Sequence, residues 1–262
     1  MHPEIAKLGP LTIHSWGFMV ALAFLVGILL SARHAQKASL PRETIFDLGF
    51  YVLIASMLGA RIVYVIQFWR DFKEHPMEIF MIQNGGVVFF GGFFAALLTF
   101  LIYTRLKKIP LLKLLDLITP PTALGYAIGR IGCFLNGCCY GKPTDLPWGV
   151  SFQPGSEAYW HFGATHLHPT QLYASATLFF IFLLLLFLSK KVKRDGDLFA
   201  WGLMCYAIYR FFIEFIRANP TYWFGLSLSQ YAALSLLIPS LYLLVIKPRL
   251  LFRKTRREPR NG

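Results

Sequence analysis

Long apolar segments alternate with short polar ones along the whole chain. Seven of the apolar segments approach the roughly 20 residues that a helix needs to cross a hydrocarbon core about 30 Å thick. They occupy residues 11–30, 45–68, 86–103, 114–134, 169–188, 198–216 and 226–246. This pattern predicts an all-α integral membrane protein with seven transmembrane helices.

The composition also indicates a membrane protein. Of the 262 residues, 56% are hydrophobic and only 15% are charged, and the mean hydropathy is +0.52. Such a chain has too little polar surface to cover a soluble globule. The net charge of +13 is concentrated in short segments between apolar ones, so it does not indicate a nucleic-acid partner.

The basic residues predict the orientation. Most of them lie in four segments, 33–42, 105–113, 190–194 and 247–260, which fall on one side of the membrane if seven helices are counted. The positive-inside rule makes that side cytoplasmic. The N-terminus is therefore expected outside, at the periplasmic face, and the C-terminus in the cytoplasm. The first apolar segment lacks the features of a cleaved signal peptide, so we expect it to be retained.

Nothing in the pattern indicates a separate soluble domain, and residues 1–262 are predicted to form one polytopic membrane domain. Two polar external segments, 70–84 and 141–168, are expected to form a small cap, because their aromatic residues suit the headgroup level. The basic tail, 247–262, is expected to bind anionic membrane lipids from the cytoplasmic side.

The first candidate site lies at the outer end of the fourth apolar segment. Residues 129–141 read GRIGCFLNGCCYG, which places Arg130, Asn136 and Gly141 close to one another. An arginine offers a fixed fork of donors to phosphate oxygens, and glycines allow backbone N–H groups to approach the same anion. The alternative is that the glycines pack helices and Arg130 reaches to the membrane interface.

The second candidate site lies in the sixth apolar segment. Arg210, Glu214 and Arg217 are spaced by four and three residues, so they share one helical face. Two cations and one carboxylate leave a net positive strip. An intrahelical salt bridge between Glu214 and Arg217 is the simpler interpretation, whereas a deeper arginine such as Arg210 is typical of a ligand path.

These two motifs resemble those of the prolipoprotein diacylglyceryl transferases, a family of bacterial inner-membrane enzymes. The run 129–141 is similar to the family signature, and residues 209–217 are similar to its second arginine motif. The resemblance implies a multi-pass protein of the bacterial inner membrane that acts on phosphatidylglycerol. It implies transfer of the diacylglyceryl group to the lipobox cysteine of a prolipoprotein signal peptide.

The resemblance also implies residue roles. Arg210 and Glu214 would be catalytic, and substrate would be bound by Arg130, Asn136, Gly141 and Arg217. Shorter similarities make further candidate contacts of Trp16, Arg61, His168 and Gln171. For His168 the alternative is an ordinary position at a helix N-terminus before proline. For Arg61 we favour a structural pairing with Asp116 or Asp47 over contact with substrate.

The chain departs from the family pattern in ways that affect the chemistry. Phe90 occupies the position of a histidine that has been proposed as a base, and phenylalanine cannot accept a proton. Cys133 and Cys138 replace an asparagine and a glutamate of the signature, and Trp16 replaces a tyrosine. A mechanism with a histidine base is therefore untenable in this chain.

Three cysteines in the signature, Cys133, Cys138 and Cys139, allow three interpretations. They form a disulfide, bind a metal ion, or remain small packing residues. Metal is the least favoured, because no second CxxC or histidine pair at ligand spacing accompanies them. Cys205, in the sixth apolar segment, is expected to pack between helices.

The chemistry implied is attack by the acceptor thiolate on the sn-3 glyceryl carbon, which forms a thioether and releases glycerol phosphate. Arg130 would bind the phosphate, Arg210 would stabilise the leaving phosphate and lower the pKa of the thiol, and Glu214 would orient Arg210. No cofactor is implied. The alternatives are a non-catalytic paralogue that binds phospholipid or lipoprotein precursor, motivated by Phe90, and a lipid or anion transporter.

Overall fold

The structure is a computed structural model that describes residues 4–8, 11–38, 40–73, 76–81 and 85–246. Its helices are α1 (Ser15–Lys37), α2 (Arg42–Gln67), α3 (Trp69–Phe72), α4 (Phe89–Leu106), α5 (Leu111–Asn136), α6 (Glu157–Phe162), α7 (Thr170–Ser189), α8 (Asp197–Ile213) and α9 (Leu228–Leu241). Within the described residues, seven helices are long and apolar enough to cross a membrane, which confirms the predicted class. The tail 247–262 and part of segment 70–84 lie outside the described residues.

The first apolar segment is divided between a strand and a helix. Residues Leu11–His14 form strand β2, which pairs antiparallel with β1, residues Glu4–Leu8. The first long helix therefore begins at Ser15, about one turn later than predicted. A short apolar run does not by itself distinguish a strand from a helix. The third long helix, α4, also begins late, because Gly85 and Gly86 before it have φ values of +83° and +79°.

By its internal contacts the chain divides into two units, residues 31–114 and residues 1–30 with 115–262. In the unit of residues 31–114, α2 and α4 approach closely through glycines. A Cβ atom added at Gly59 would lie 2.6 Å from the Gly91 carbonyl oxygen, and one at Gly92 would lie 2.9 Å from the Ser56 carbonyl oxygen. Small residues of this kind allow helix backbones to pack without side chains between them.

The other unit, residues 1–30 with 115–262, is built around α5. Its core includes Ala127 of α5, Leu178 and Leu185 of α7, and Tyr209 of α8. A Cβ added at Gly132 would lie 2.9 Å from the Met19 Cβ, so α1 packs directly on α5. The single domain predicted for residues 1–262 stays a prediction.

Asp116 of α5 fixes the start of α8. Its two carboxylate oxygens accept hydrogen bonds from the backbone N–H groups of Gly196 and Phe199, at 2.6 and 2.7 Å. The first N–H groups of a helix have no partner within the helix, and a carboxylate there also interacts favourably with the helix dipole. Asp116 is therefore a structural residue.

Residues 137–168 fold into a small layer with its own core of Tyr140, Phe152, Ala158 and Leu167. Short backbone bridges join Pro143 and Val150 to Leu167. The helix α6 in this layer is capped by Ser156, whose hydroxyl oxygen accepts from the Tyr159 N–H group. This layer corresponds to the polar segment 141–168, and its position outside the membrane stays a prediction.

Candidate active site

The signature run begins inside α5 and leaves the helix through a glycine turn. The N–H group of Gly137 donates to the Phe134 carbonyl, and that of Cys138 donates to the Cys133 carbonyl. With Gly137 at φ +73°, this is the Schellman arrangement that ends many helices. In that arrangement the residue after the glycine lies against the third residue from the helix end, so Cys138 returns to Cys133.

Arg130 lies in α5, seven residues before Gly137, and its side chain is buried. Its guanidinium carbon lies 4.8 Å from the centre of the Tyr126 ring, and the guanidinium donates a hydrogen bond to the Tyr126 hydroxyl. The buried Nε has no hydrogen-bond acceptor among the described residues. A buried donor without an acceptor is unfavourable by about 1–3 kcal/mol. An anion bound there would remove that penalty.

Arg210 is held by two partners near the end of α8. One guanidinium nitrogen lies 2.8 Å from a Glu214 carboxylate oxygen, and the other donates to the Ser229 hydroxyl at 2.6 Å. The same oxygen of Glu214 lies 4.0 Å from Nε of Arg217, and the other oxygen accepts from Asn219. The buried Glu214 therefore pairs with both arginines, as the predicted spacing indicated, and one positive charge remains uncompensated.

Tyrosines connect Arg130 to Arg210. The rings of Tyr126 and Tyr206 lie 5.9 Å apart, and Tyr209 lies within electrostatic range of Arg130, Arg210 and Arg217. Thr119 of α5 also lies beside Gly202 of α8. Thr119 comes before Tyr126 in the chain and Gly202 comes before Tyr206, so α5 and α8 run in the same direction. Both arginines therefore lie one turn beyond the tyrosine pair, on neighbouring helices.

A repeated pattern in the sequence marks this pairing, although neither motif taken singly reveals it. Residues 126–130 read YAIGR and residues 206–210 read YAIYR, so each arginine follows a tyrosine by four residues, which is one helical turn. The two alanines within the pattern, Ala127 and Ala207, are both buried. Ser229 and Asn219, which hold Arg210 and Glu214, come from later in the chain and have no comparable local signal.

A backbone junction brings Gly141, His168 and Arg217 together. Gly141 forms a backbone bridge with Arg217 and donates its N–H to the His168 carbonyl at 3.0 Å. A Cβ at Gly141 would lie 2.6 Å from the His168 Cβ and 2.8 Å from the Ile216 carbonyl oxygen. The Gly141 N–H is thus paired within the protein, and the glycine permits the close approach of three segments.

The start of α7 holds the cysteine turn in place. The Thr170 hydroxyl donates to the Cys139 carbonyl at 2.9 Å, and the Gln171 side-chain amide donates to the Cys138 carbonyl at 2.7 Å. The Gln171 Oε1 and the His168 Nδ1 are buried and have no hydrogen-bond partner among the described residues. His168 does not cap the helix, since the N-cap residue is Pro169 and no side chain caps it.

The three cysteines of the turn meet in space. The sulfur atoms of Cys133, Cys138 and Cys139 all lie within 4.8 Å of one another, and each thiol is free. Cys139 adopts a left-handed backbone conformation with φ +62°, which is unusual for a residue other than glycine. Hydrogen bonds from the Cys133 and Cys138 thiols, together with the nearby Arg217 and Arg130, hold the pKa of Cys139 well below its usual range.

Two further candidates, Asn136 and Trp16, lie near the ends of helices. Asn136 is the last residue of α5 and half-buried. Trp16 is at the start of α1, where its Cα would lie 3.4 Å from a Cβ at Gly132, and its side chain is 48% exposed. Phe90 lies in the first turn of α4 and is 65% exposed.

Arg61 has a different set of partners from the one predicted. In the unit of residues 31–114, its guanidinium donates to the backbone carbonyls of Ile79 and Glu78 and to those of Gly85 and Gly86. The predicted pairing with Asp116 or Asp47 is wrong. Asp116 accepts from backbone N–H groups of α8, and Asp47 lies beside the Tyr103 hydroxyl. Carbonyl oxygens of a turn take the place of the carboxylate.

These features define a class: a multi-pass helical membrane protein in which two neighbouring helices each carry an arginine one turn beyond a pair of contacting tyrosines. Comparison with known proteins makes the assignment specific. Residues 3–246 match the family model described as prolipoprotein diacylglyceryl transferase, and the chain belongs to this family.

Curated relatives cover most of the chain. It is 35% identical over 220 residues to the phosphatidylglycerol–prolipoprotein diacylglyceryl transferase of Clostridium tetani, covering 84% of this chain and 87% of that one. It is 33% identical over 229 residues to the enzyme of the same name from Finegoldia magna, covering 87% and 88%. It is 35% identical over 259 residues to that of Bordetella avium, covering 94% and 95%.

Proposed function

We propose that this protein transfers the diacylglyceryl group of phosphatidylglycerol to the lipobox cysteine of prolipoproteins. The product is a thioether, and glycerol phosphate is released. The family assignment supports this reaction, and the three bacterial relatives carry the same activity in their names. The protein would act in the bacterial inner membrane with its N-terminus outside, where phosphatidylglycerol and secreted prolipoproteins are both within reach.

The observation that carries the proposal is the pair of arginines on parallel helices, Arg130 buried and Arg210 13% exposed. Arg130 keeps a buried Nε without an acceptor among the described residues, and Arg210 and Arg217 together carry one more positive charge than Glu214 balances. Phosphatidylglycerol has one phosphate with one negative charge. A phosphate between the two helices would satisfy the Arg130 donor and balance the charge that Glu214 leaves uncompensated.

The reaction forms a carbon–sulfur bond and breaks a carbon–oxygen bond. The acceptor thiolate attacks the sn-3 glyceryl carbon, and the electron pair of the broken bond stays on the phosphate oxygen. The phosphate thus gains negative charge as it leaves as glycerol phosphate. Arginines already in position where charge develops stabilise the transition state more than the bound substrate.

Each remaining candidate has a defined part in this proposal. Glu214 is a positioning residue, since it holds Arg210 and Arg217 through its carboxylate. Gln171 Oε1, a buried acceptor without a donor among the described residues, would accept from a hydroxyl of the glycerol headgroup. Asn136 and Gly141 lie where the signature run leaves α5 and meets the layer of residues 137–168, and they would shape the outer wall of the substrate site.

A transporter is disfavoured by one contact. A transport path would need charged residues in the inner half of the helices, where the sequence offers little beyond Asp116, and both carboxylate oxygens of Asp116 accept hydrogen bonds from the start of α8. The non-catalytic paralogue would bind the same phospholipid, so only a measurement of transfer separates it from the enzyme.

The test is transfer of labelled phosphatidylglycerol to a lipobox peptide by the purified protein in nanodiscs, with the thioether product identified by mass. Arg130→Ala should reduce turnover about 100- to 1,000-fold, as loss of a charge-stabilising donor typically does. Arg105→Ala, a change of an exposed arginine in the last turn of α4, is the matched control and should retain activity.

A peptide with alanine in place of the lipobox cysteine should give no product. Binding of phosphatidylglycerol without any transfer by the unaltered protein would refute the enzyme and favour the paralogue. Equal turnover by Arg130→Ala and Arg105→Ala would refute the role of Arg130.

A further inference from the structure

The three-cysteine cluster is the feature that the proposed reaction leaves unexplained. The reaction needs the acceptor thiol as a thiolate, and a free thiol with a pKa near 8.5 is mostly protonated at neutral pH. A further positive centre beside the arginines would raise the thiolate fraction of the acceptor.

The geometry of the cluster fits a thiophilic metal ion. Zinc binds thiolate sulfur at about 2.3 Å, so sulfurs around one tetrahedral ion lie roughly 3.8 Å apart. The three sulfurs here lie within 4.8 Å of one another, which is close to that separation. A disulfide uses only two sulfur atoms. Three sulfur atoms that lie close together can instead act as three thiolate ligands of one metal ion.

The backbone holds this ligand set in place without help from a metal. Cys133 and Cys138 meet through the Schellman turn at Gly137, and Cys139 follows in a left-handed backbone conformation. Thr170 and Gln171 bind the carbonyls of Cys139 and Cys138. Strained backbone of this kind persists only where surrounding contacts fix it, and such positions concentrate at functional sites.

The surrounding charge also favours a zinc–thiolate group. Three thiols that bind one Zn²⁺ release three protons to solvent, and the complex carries one negative charge. Arg217 and Arg130 lie close enough to the Cys139 sulfur to interact with it electrostatically. A positive charge beside the cluster would balance the negative charge of the complex.

We propose that Cys133, Cys138 and Cys139 bind one Zn²⁺ and leave its fourth coordination position open for the sulfur of the lipobox cysteine. This role rests on the proposed transferase function. A thiol bound to zinc loses its proton to solvent, and zinc sites that act in catalysis keep one position open. The metal would thus ionise the acceptor thiol. Attack then proceeds from the zinc-bound sulfur beside the arginine pair.

The test uses Co²⁺ as a spectroscopic substitute for Zn²⁺. Purified protein is reduced, stripped with a chelator and titrated with Co²⁺, while metal content and free thiols are counted. We expect one ion per chain and a thiolate-to-cobalt charge-transfer band. The band should be lost in Cys133→Ser, Cys138→Ser and Cys139→Ser but kept in Cys205→Ser, the matched control for a half-buried cysteine elsewhere in the chain.

The second step of the test adds a lipobox peptide to the Co²⁺ protein. Binding of the peptide sulfur should increase the charge-transfer intensity, and a peptide with serine in place of the cysteine should not. Lipid transfer should fall at least 10-fold after chelation and return with Zn²⁺.

The metal site, its activating role and the transferase function can each be contradicted by a different result. A disulfide in the protein purified without reductant, or a band that survives in the three cysteine variants, would overturn the metal site. A band that does not respond to the cysteine peptide would overturn the activating role. Binding of Co²⁺ and of the peptide sulfur by a protein that transfers no lipid would instead count against the transferase function.

Discussion

Replacing Glu214 by glutamine tests whether one buried carboxylate organises the arginines. Glutamine keeps the volume of the side chain and an oxygen that can still accept from Asn219. What the change removes is the negative charge shared by Arg210 and Arg217. The variant therefore isolates electrostatics from packing.

The expected loss of stability follows from the distances and burial. The Glu214 side chain is 1% exposed and that of Arg210 is 13% exposed, with 2.8 Å between the charged atoms. At an effective dielectric constant of about 20, charges at this distance attract by about 6 kcal/mol, and the Arg217 contact at 4.0 Å adds about 4 kcal/mol. Desolvation offsets much of this attraction, and removal of one partner of a buried pair typically costs about 3–5 kcal/mol.

Phosphatidylglycerol should partly restore the loss if its phosphate binds at the arginines. Removal of the Glu214 charge leaves Arg210 and Arg217 without their counter-ion, so the phosphate should bind the variant more tightly than the unaltered protein. A roughly 30-fold difference in affinity corresponds to about 2 kcal/mol. We therefore expect Glu214→Gln to be destabilised by the full 3–5 kcal/mol in nanodiscs of phosphatidylcholine and by about half of that when phosphatidylglycerol is present. Turnover should fall about 100-fold, because Arg210 loses its fixed position.

The assay is equilibrium unfolding in the two lipid compositions, with lipid transfer measured in parallel. Glu43→Gln, which changes an exposed glutamate in the first turn of α2, is the control and should shift stability by less than about 1 kcal/mol in either lipid. Equal stability of Glu214→Gln and Glu43→Gln would refute the buried counter-ion. A loss that is the same in both lipids would refute phosphate binding at this pair.

Three further changes test other parts of the structure. Arg210→Lys keeps the charge but cannot bind Ser229, Glu214 and a phosphate through one planar group, so turnover should fall about 100-fold with folding retained; full turnover would contradict recognition by a guanidinium fork. Gly141→Ala forces a Cβ to within 2.6 Å of the His168 Cβ, and thermal unfolding should show a loss of about 1–3 kcal/mol; an unchanged midpoint would mean that the three segments do not meet there. Arg61→Met removes the donor to the carbonyls of Glu78, Ile79, Gly85 and Gly86, so hydrogen exchange near these residues should accelerate while transfer persists; lost transfer with unchanged exchange would make Arg61 a substrate contact.

The helices were predictable from the sequence because hydrocarbon thickness sets their length. Seven apolar segments correspond to seven long helices, with ends displaced by a few residues. The errors have local causes. An N-terminal strand begins at Leu11 within an apolar run, and α4 starts after the positive φ values of Gly85 and Gly86. The periodicity of hydrophobic residues reveals neither the strand nor the positive φ values.

The candidate site was predictable where its partners are close in sequence. Spacing of three and four residues indicated the pairing of Glu214 with Arg210 and Arg217. Spacing could not indicate Ser229 or the junction of Gly141 with His168, because these contacts depend on tertiary structure. The partners of Arg61 were equally unpredictable, since backbone carbonyls can accept whatever side chains the sequence specifies there.

The glycine turn that ends α5 also fixes how far Arg130 lies from the cysteines along the helix. Arg130 and Gly137 are separated by seven residues, which is nearly two helical turns and about 10 Å along the axis. Inserting or deleting one residue between them would rotate the arginine by about 100° relative to the turn and shift it by about 1.5 Å. Arg130 and Tyr126 would turn together, away from the side on which the cysteines meet. A change in the number of residues between these two positions would therefore disrupt the site even if Arg130, Tyr126 and the cysteines were all kept.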